Sequence, residues 1–233
     1  MCGRFCQVLE GKIIFEDFQI KNFVDIKPSY NVAPNQNAAV IIESEHDRKK
    51  IIRLHRWGLI PSWSKSIKNS YKMINARSET INQKPSFKNS IKSKRCLIPV
   101  NYFYEWQKIG STKKQPFCIG LKDFKYFVLA GIWDLYFDGQ KKIYSFSIIT
   151  KKANNLVSKI HDRTPVIITA QNYNKWLNPL FDDLDIINKI MHTNIDDQMI
   201  AYPVSSFVNN PRNNSEKCIE KRECVCKEEI LKK

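Results

Sequence analysis

Glycine is scarce in this sequence, with seven residues in 233 and no Asn-Gly dipeptide. That scarcity excludes collagen-like and low-complexity chains. No apolar run approaches the ~18 residues that a membrane span needs. The opening Met1-Cys2-Gly3-Arg4-Phe5-Cys6 lacks the apolar stretch of a secretory signal. No internal repeat of about 20–50 residues is visible. The seven cysteines are odd in number and irregularly spaced, so free thiols in a reducing compartment are expected rather than a disulfide framework. These absences leave a cytoplasmic globular chain, nucleoid-associated if bacterial, with no membrane contact.

Positive charge is abundant. The formal net charge is +15, and a polyanion such as nucleic acid is the partner such a charge attracts. Lysine dominates, and the Lys-, Asn- and Ile-rich composition also fits a coding-base bias. The nine arginines therefore stand out. Arg4, Arg56, Arg77, Arg95 and Arg163 fall in motif-like segments, where a planar fork for phosphate or carboxylate serves better than a point charge.

Apolar, β-rich runs at Ala38–Ile42, Lys50–Leu54, Arg95–Val100, Tyr126–Gly131, Ile143–Thr150 and Val166–Thr169 predict strands. Helices are predicted over Ser86–Ser93, Ala153–Ile160, Gln171–Leu177 and Asp183–His192. The two types do not alternate, which favours an α+β fold with a mostly antiparallel, barrel-like β core and flanking helices. Ser62–Lys72 has turn character, and Lys108–Gln115 reads as a basic hairpin loop. From about Ser215 the chain is highly charged and carries Cys218, Cys224 and Cys226. It reads as a mobile tail without a four-ligand metal set.

Four short segments carry chemistry. Removal of Met1 would give Cys2 a free α-amine, whose ordinary pKa of ~7.7–8 leaves a neutral fraction near pH 7. Such an amine attacks an aldehyde to give an imine, and the β-thiol can close on the imine carbon to form a thiazolidine. In Ile74-Asn75-Ala76-Arg77, a period of two puts Asn75 and Arg77 on one face, an amide and a guanidinium suited to a sugar–phosphate. In Phe103-Tyr104-Glu105-Trp106, Glu105 shares a face with Phe103. A carboxyl beside apolar surface tends to a raised pKa, as proton transfer near neutrality requires. Trp106 projects the other way and could stack on a base. In Ile160-His161-Asp162-Arg163-Thr164-Pro165, His161 can pass protons near pH 7 and Arg163 could take a phosphate. His46, His55 and His192 have no comparable setting and read as surface or structural residues.

Taken together these segments resemble the SOS-response-associated peptidase family, which shields abasic sites. The resemblance runs over about residues 2–216, leaving 217–233 as the tail. It also includes Tyr30-Asn31-Val32-Ala33-Pro34, Trp57-Gly58-Leu59-Ile60-Pro61-Ser62-Trp63, Ser78-Glu79-Thr80 and Tyr202-Pro203-Val204-Ser205. It implies a barrel-like core with a positive DNA groove. It also implies a DNA-damage-response protein that crosslinks to abasic sites in single-stranded DNA through mature Cys2. Asn75 would hold Cys2 and the sugar, Glu105 would act as general acid or base, and His161 would assist at the ring-opened sugar oxygen. Arg4, Arg77 and Arg163 would bind phosphates, and Trp106 would stack against DNA. Self-removal of Met1 and a β-elimination (lyase) activity come with the resemblance, as does a monomer needing neither cofactor nor metal. The replication machinery is a further partner it admits. Trp63 is left as either a DNA wedge or a core residue, and Met1 removal as either self-catalysed or the work of an aminopeptidase.

Two other readings compete. An N-terminal-nucleophile amidohydrolase also begins Met-Cys-Gly, but it builds its loops on Asn-Gly, which is missing here. A non-covalent module for single strands explains the charge and Trp106, but gives Cys2 no reason to follow Met1.

Overall fold

The computed structural model describes residues 2–223 apart from residues 21, 23, 45 and 69. Twelve strands and four α-helices follow one another as β1 (Phe5–Gln7), α1 (Gly11–Phe18), β2 (Ser29–Val32), β3 (Asn37–Glu43), β4 (Lys50–Trp57), β5 (Asn75–Arg77), α2 (Ser90–Ser93), β6 (Arg95–Val100), β7 (Tyr102–Ile109), β8 (Lys113–Leu121), β9 (Phe127–Phe137), β10 (Lys142–Lys152), β11 (Arg163–Pro165), α3 (Tyr173–Leu177), α4 (Leu184–Met191) and β12 (Met199–Pro203). This is the expected α+β architecture. Strands β10, β4, β3, β6 and β9 form a ring that closes because β9 also pairs with β10. A separate sheet has the order β12-β8-β7-β1-β2. Pairing is antiparallel except where β10 runs parallel to β4 and β5.

Local chemistry explains the principal turn. β9 and β10 are joined through Asp138-Gly139, a dipeptide suited to tight hairpins. Gly139 has φ +92°, and the Asp138 carboxylate accepts from the amides of Gln140 at 3.0 Å and Lys141 at 2.8 Å. The basic loop expected over Lys108–Gln115 is largely strand: β7 and β8 pair as far as Ile109↔Lys113, leaving only three residues in the turn.

The buried side chains fall into layers. Phe5, Phe103 and Ile119 from the five-stranded sheet share one apolar cluster with Trp57, Phe146 and Ile148 from the barrel wall, so this sheet caps one end of the barrel. Gln7 joins the two bodies: buried, it donates to the carbonyls of Ala39 at 3.0 Å and Pro99 at 2.8 Å and accepts from the Ala39 amide at 2.8 Å. Helices α1, α3 and α4 cover the outer barrel face through Ile14, Phe18, Trp176, Ile187 and Ile190. Arg95 is 2% exposed and gives its donors to carbonyls of Ile91, Lys92, Trp176, Asn178 and Phe181, which fixes α2 and α3 to β6.

Three expectations need correction. Val166–Thr169 is not a strand: Val166 and Ile168 wedge between β9 and β10, bonding to Ile149 and Ala130 and to Val128, while β11 lies just before them. Ala153–Ile160 gives only a 3-10 turn at Val157–Lys159. The charged segment is not free from Ser215 or residue 217 onward. Cys218 is fully buried, Lys221 bridges Val204, and Tyr30 donates to Glu216 at 3.1 Å, so residues 215–222 are seated on the five-stranded sheet. Cys224 and Cys226 lie outside the described residues. The described cysteines, Cys2, Cys6, Cys96, Cys118 and Cys218, are all buried and unbridged. Among the described residues no helix is long and apolar enough to cross a membrane.

Candidate active site

Strand pairing brings the start of the chain to Glu105. Phe5 pairs with Phe103 and the Tyr104 amide donates to the Arg4 carbonyl at 3.0 Å, so the residues before Arg4 run on beside Glu105. Cys2 is completely buried, with its thiol 3.8 Å from the Arg4 carbonyl. Asn75 approaches from β5, which β10 holds in register through Ile148↔Asn75. The Asn75 side-chain amide donates to the Cys2 carbonyl at 2.8 Å. Its Oδ1 is buried and has no partner among the described residues, an acceptor available to a bound molecule.

Glu105 is 2% exposed, and burial pushes its carboxyl up to about 7. A carboxyl poised there can give or take a proton near neutrality. Burial and then the Glu105 charge push the Cys2 thiol above its ordinary range, so it is a neutral thiol in the folded chain. His161 Nε2 lies 4.0 Å from Glu105 Oε2. The Arg163 amide donates to His161 Nδ1 at 3.0 Å, which makes Nδ1 an acceptor and points the ring N–H of the neutral tautomer toward Glu105. Asp162 Oδ1 is 2.8 Å from the same Nδ1 and is placed to pair with it once the ring is protonated. Burial lowers the His161 pKa, so the ring is mainly neutral near pH 7. Gln107, two residues beyond Glu105 and on the same face of β7, donates to the Lys159 carbonyl at 2.7 Å and ties the His161 turn to this strand.

The arginines divide into two kinds. Arg77 is exposed, and its guanidinium has no partner among the described residues. Arg163 is committed: it meets Glu79 through two parallel bonds of 2.7 and 2.9 Å and donates to the Thr150 carbonyl at 2.7 Å. Arg4 is committed as well, donating to Asn31 Oδ1 at 2.9 Å, the Val208 carbonyl at 2.9 Å and the Asn209 carbonyl at 3.1 Å. Asn31, 1% exposed, gives its amide to the carbonyls of Val208, Asn210 and Asn213. Trp106 is half-buried on the opposite face of β7, and its indole N–H donates to Asn209 at 2.7 Å. Trp63 is 61% exposed, which removes the core reading for that residue.

Sequence reasoning brought Cys2, Asn75, Glu105 and His161 forward, and the fold places them together. It missed Glu79, Gln107 and Asn209 as positioning residues. Glu79 lies 84 residues from its partner Arg163, and no local pattern links them. Among the described residues no group of three or more His, Cys, Asp or Glu side chains is placed to hold a metal ion.

A buried cysteine, an amide on its carbonyl and a carboxyl–imidazole pair thus stand together, groups of the types that proton-assisted nucleophilic chemistry uses. The chain belongs to the SOS response associated peptidase (SRAP) family, whose description matches residues 1–211. It is 45% identical over 224 residues to the abasic site processing protein YoqW of Bacillus subtilis, covering 94% of this chain and 99% of that protein. It is 33% identical over 227 residues to the abasic site processing protein HMCES of Xenopus tropicalis, covering 83% of this chain and 66% of that one. A solved structure of a protein from Bacteroides thetaiotaomicron superposes with a TM-score of 0.84 at 28% identity, covering 95% of this chain and all of that one.

Proposed function

We propose that this protein processes abasic sites in single-stranded DNA, trapping each as a thiazolidine on mature Cys2. The observation that carries the reading is the convergence of Asn75, Glu105 and His161 on Cys2. Family membership and the names of its relatives support it. A single strand presents the abasic sugar without the cost of unpairing.

Hydrolysis of the Met1–Cys2 bond comes first, and we assign it to this same site. It consumes one water and leaves the Cys2 nitrogen as an amine. His161 then assists opening of the deoxyribose ring by relaying the anomeric hydroxyl proton to the ring oxygen, so the ring C–O bond breaks and the aldehyde forms with no net proton consumed. The amine adds to the aldehyde carbon, and Glu105 gives its proton to the departing hydroxyl and takes one back from the nitrogen, so one water leaves and an imine remains. Asn75 holds the Cys2 carbonyl through its amide and the sugar through its open Oδ1. The thiol sulfur adds to the imine carbon while its proton passes to the nitrogen, closing the five-membered ring. A neutral thiol suits this step, since the proton it carries is consumed in the closure. β-Elimination from the imine is the side path and accounts for a lyase activity. Arg77 clamps a phosphate. Arg4, Arg163 and Trp106 contribute to DNA binding from positions fixed by their protein partners. The protein acts in the DNA-damage response in the cytoplasm, as a monomer, with the replication machinery as a further partner.

Intact-mass spectrometry tests the reading, before and after mixing with a single-stranded oligonucleotide carrying one abasic site. The expected result is loss of the Met1 mass, followed by a denaturation-stable adduct that Cys2→Ala abolishes. Processed protein that forms no adduct overturns the crosslinking assignment, and glutamine hydrolysis by it would then favour the amidohydrolase. Retention of Met1 in Glu105→Gln alone places the processing in this site.

A further inference from the structure

The barrel has a second end. Inward side chains alternate along β4 as Arg53, His55 and Trp57 and along β10 as Tyr144, Phe146 and Ile148, with Trp57 in register with Phe146. In one direction this series leads to Phe5 and Cys2, which share its apolar cluster. In the other it opens on a cavity of about 280 Å³ bordered by Ser44, His46, Arg53, Trp133, Lys142 and Tyr144. Tyr144 stands four residues before Ile148, roughly 13 Å along the strand at ~3.3 Å per residue, so this mouth is separate from the Cys2 site.

The walls of the mouth are aromatic and cationic. The Arg53 guanidinium sits 5.0 Å from the centre of the Tyr144 ring. Tyr144 stacks in turn on His55, with centroids 5.3 Å apart and planes 24° from parallel, and Trp133 tilts against His55 at 5.6 Å. His55 is completely buried, and neither ring nitrogen has a partner among the described residues. Burial, then the Arg53 charge, lower its pKa to about 3, so it does not resolve the deficit by ionising. A neutral imidazole holds one donor and one acceptor, and folded proteins rarely leave both unanswered. Arg53 and Lys142 are exposed, and among the described residues they form no ion pair and no carboxylate borders the cavity. Barrel mouths are a common place for small-molecule sites.

We infer that this far mouth binds a nucleotide unit, its base against the Tyr144 and Trp133 rings and its phosphate between Arg53 and Lys142. An aromatic wall alone would take any flat apolar ring, and two cations alone would take any anion. Together, in a cavity of this size, they select a flat ring joined to a phosphate. The nucleotide can be free or part of a bound strand, and the two sources share this chemistry. The inference is independent of the reaction proposed at Cys2.

Isothermal titration of the full chain tests it, using dAMP, deoxyribose 5-phosphate, inorganic phosphate and a short intact oligonucleotide. dAMP is expected to bind at least tenfold tighter than either base-free phosphate. The double variant Arg53→Gln/Lys142→Gln is expected to lose at least tenfold in dAMP affinity while keeping its thermal midpoint, since both side chains are exposed. If the oligonucleotide displaces dAMP and is itself weakened by the double variant, the site reads a strand. If it does not compete, the site takes free nucleotide. Equal affinity for inorganic phosphate and dAMP, no dAMP binding, or dAMP binding untouched by the double variant overturns the inference.

Discussion

Arg163 and Glu79 face each other fork to fork, with guanidinium–carboxylate bonds of 2.7 and 2.9 Å. The pair connects β11, which follows the His161 turn, to the turn that follows β5, which carries Asn75. It therefore ties together the two segments that approach Cys2 from outside the β1–β7 ladder. Arg163→Lys cannot reproduce the parallel bonds or reach the Thr150 carbonyl as well. Its expected cost is about 1–3 kcal/mol, because Arg163 is mostly buried while Glu79 is 45% exposed and its charge is partly screened. Thermal denaturation gives the stability change, and adduct rate is expected to fall with it through displacement of His161.

Arg77→Gln makes the opposite prediction. An exposed guanidinium without a partner among the described residues contributes little to folding, so stability should stay within about 0.5 kcal/mol of the parent. Binding to intact single strands should weaken, and the slope of log affinity against log salt should drop by about 0.7. Salt titrations on parent and variant separate this outcome from an indirect effect on the fold.

The Glu79 carboxyl is held down at about 2 by its Arg163 bonds, below the ordinary value of 4.5. A depressed carboxyl stabilises the fold above its unfolded pKa, and that contribution disappears as pH falls through the folded value. Stability should therefore decline between about pH 4.5 and pH 2, and Glu79→Gln should flatten that part of the curve. Denaturant midpoints measured across the range decide it, and an unchanged slope in the variant would count against the assignment.

Glu105 carries the reverse sign. Its carboxyl is raised to about 7 by burial, so the folded state prefers the protonated form. Its contribution falls as pH rises from about 4.5 to 7 and stays low above that. Glu105→Gln should accordingly be more stable than the parent at pH 8, by on the order of 1–3 kcal/mol, while its adduct rate collapses. The parent rate should rise with pH as the Cys2 amine loses its proton, near ~7.7–8, and fall as Glu105 ionises. A variant that gains stability and keeps its rate would remove Glu105 from the chemistry.

Arg4→Lys should destabilise by about 1–3 kcal/mol, since Asn31 and the carbonyls of Val208 and Asn209 then share fewer donors. Trp106→Phe keeps the ring but loses the bond to Asn209 and should cost about 1 kcal/mol. If both variants bind intact DNA less tightly than their lost stability explains, these side chains touch the strand as well as the loop.

Several apolar runs were legible as strands: the prediction for Arg95–Val100 coincides with β6, and Asp183 caps α4 through two amides as a helix-starting aspartate should. Val166–Thr169 has the composition of a strand and fails to be one because both of its neighbours are already paired with each other nearby. The helix over Gly11–Phe18 went unread, although Ile14 and Phe18, four apart, already marked its buried face. Phe103 and Glu105 on one face and Trp106 on the other followed from period two, and the clusters bear this out. The fate of the arginines could not be read from the sequence. Arg4, Arg77 and Arg163 look equally suited to a phosphate until the fold supplies two of them with protein acceptors.

Arg95 sets a boundary on how this sequence can drift. Lysine supplies most of the positive charge of this chain, with nine arginines among its 38 basic residues. At position 95 five main-chain carbonyls converge on one planar group, and an ammonium has only three protons to offer. A lysine there would leave buried carbonyls without a donor. The need for arginine at position 95 is thus set by the chain's own main-chain carbonyls, with no bound partner involved.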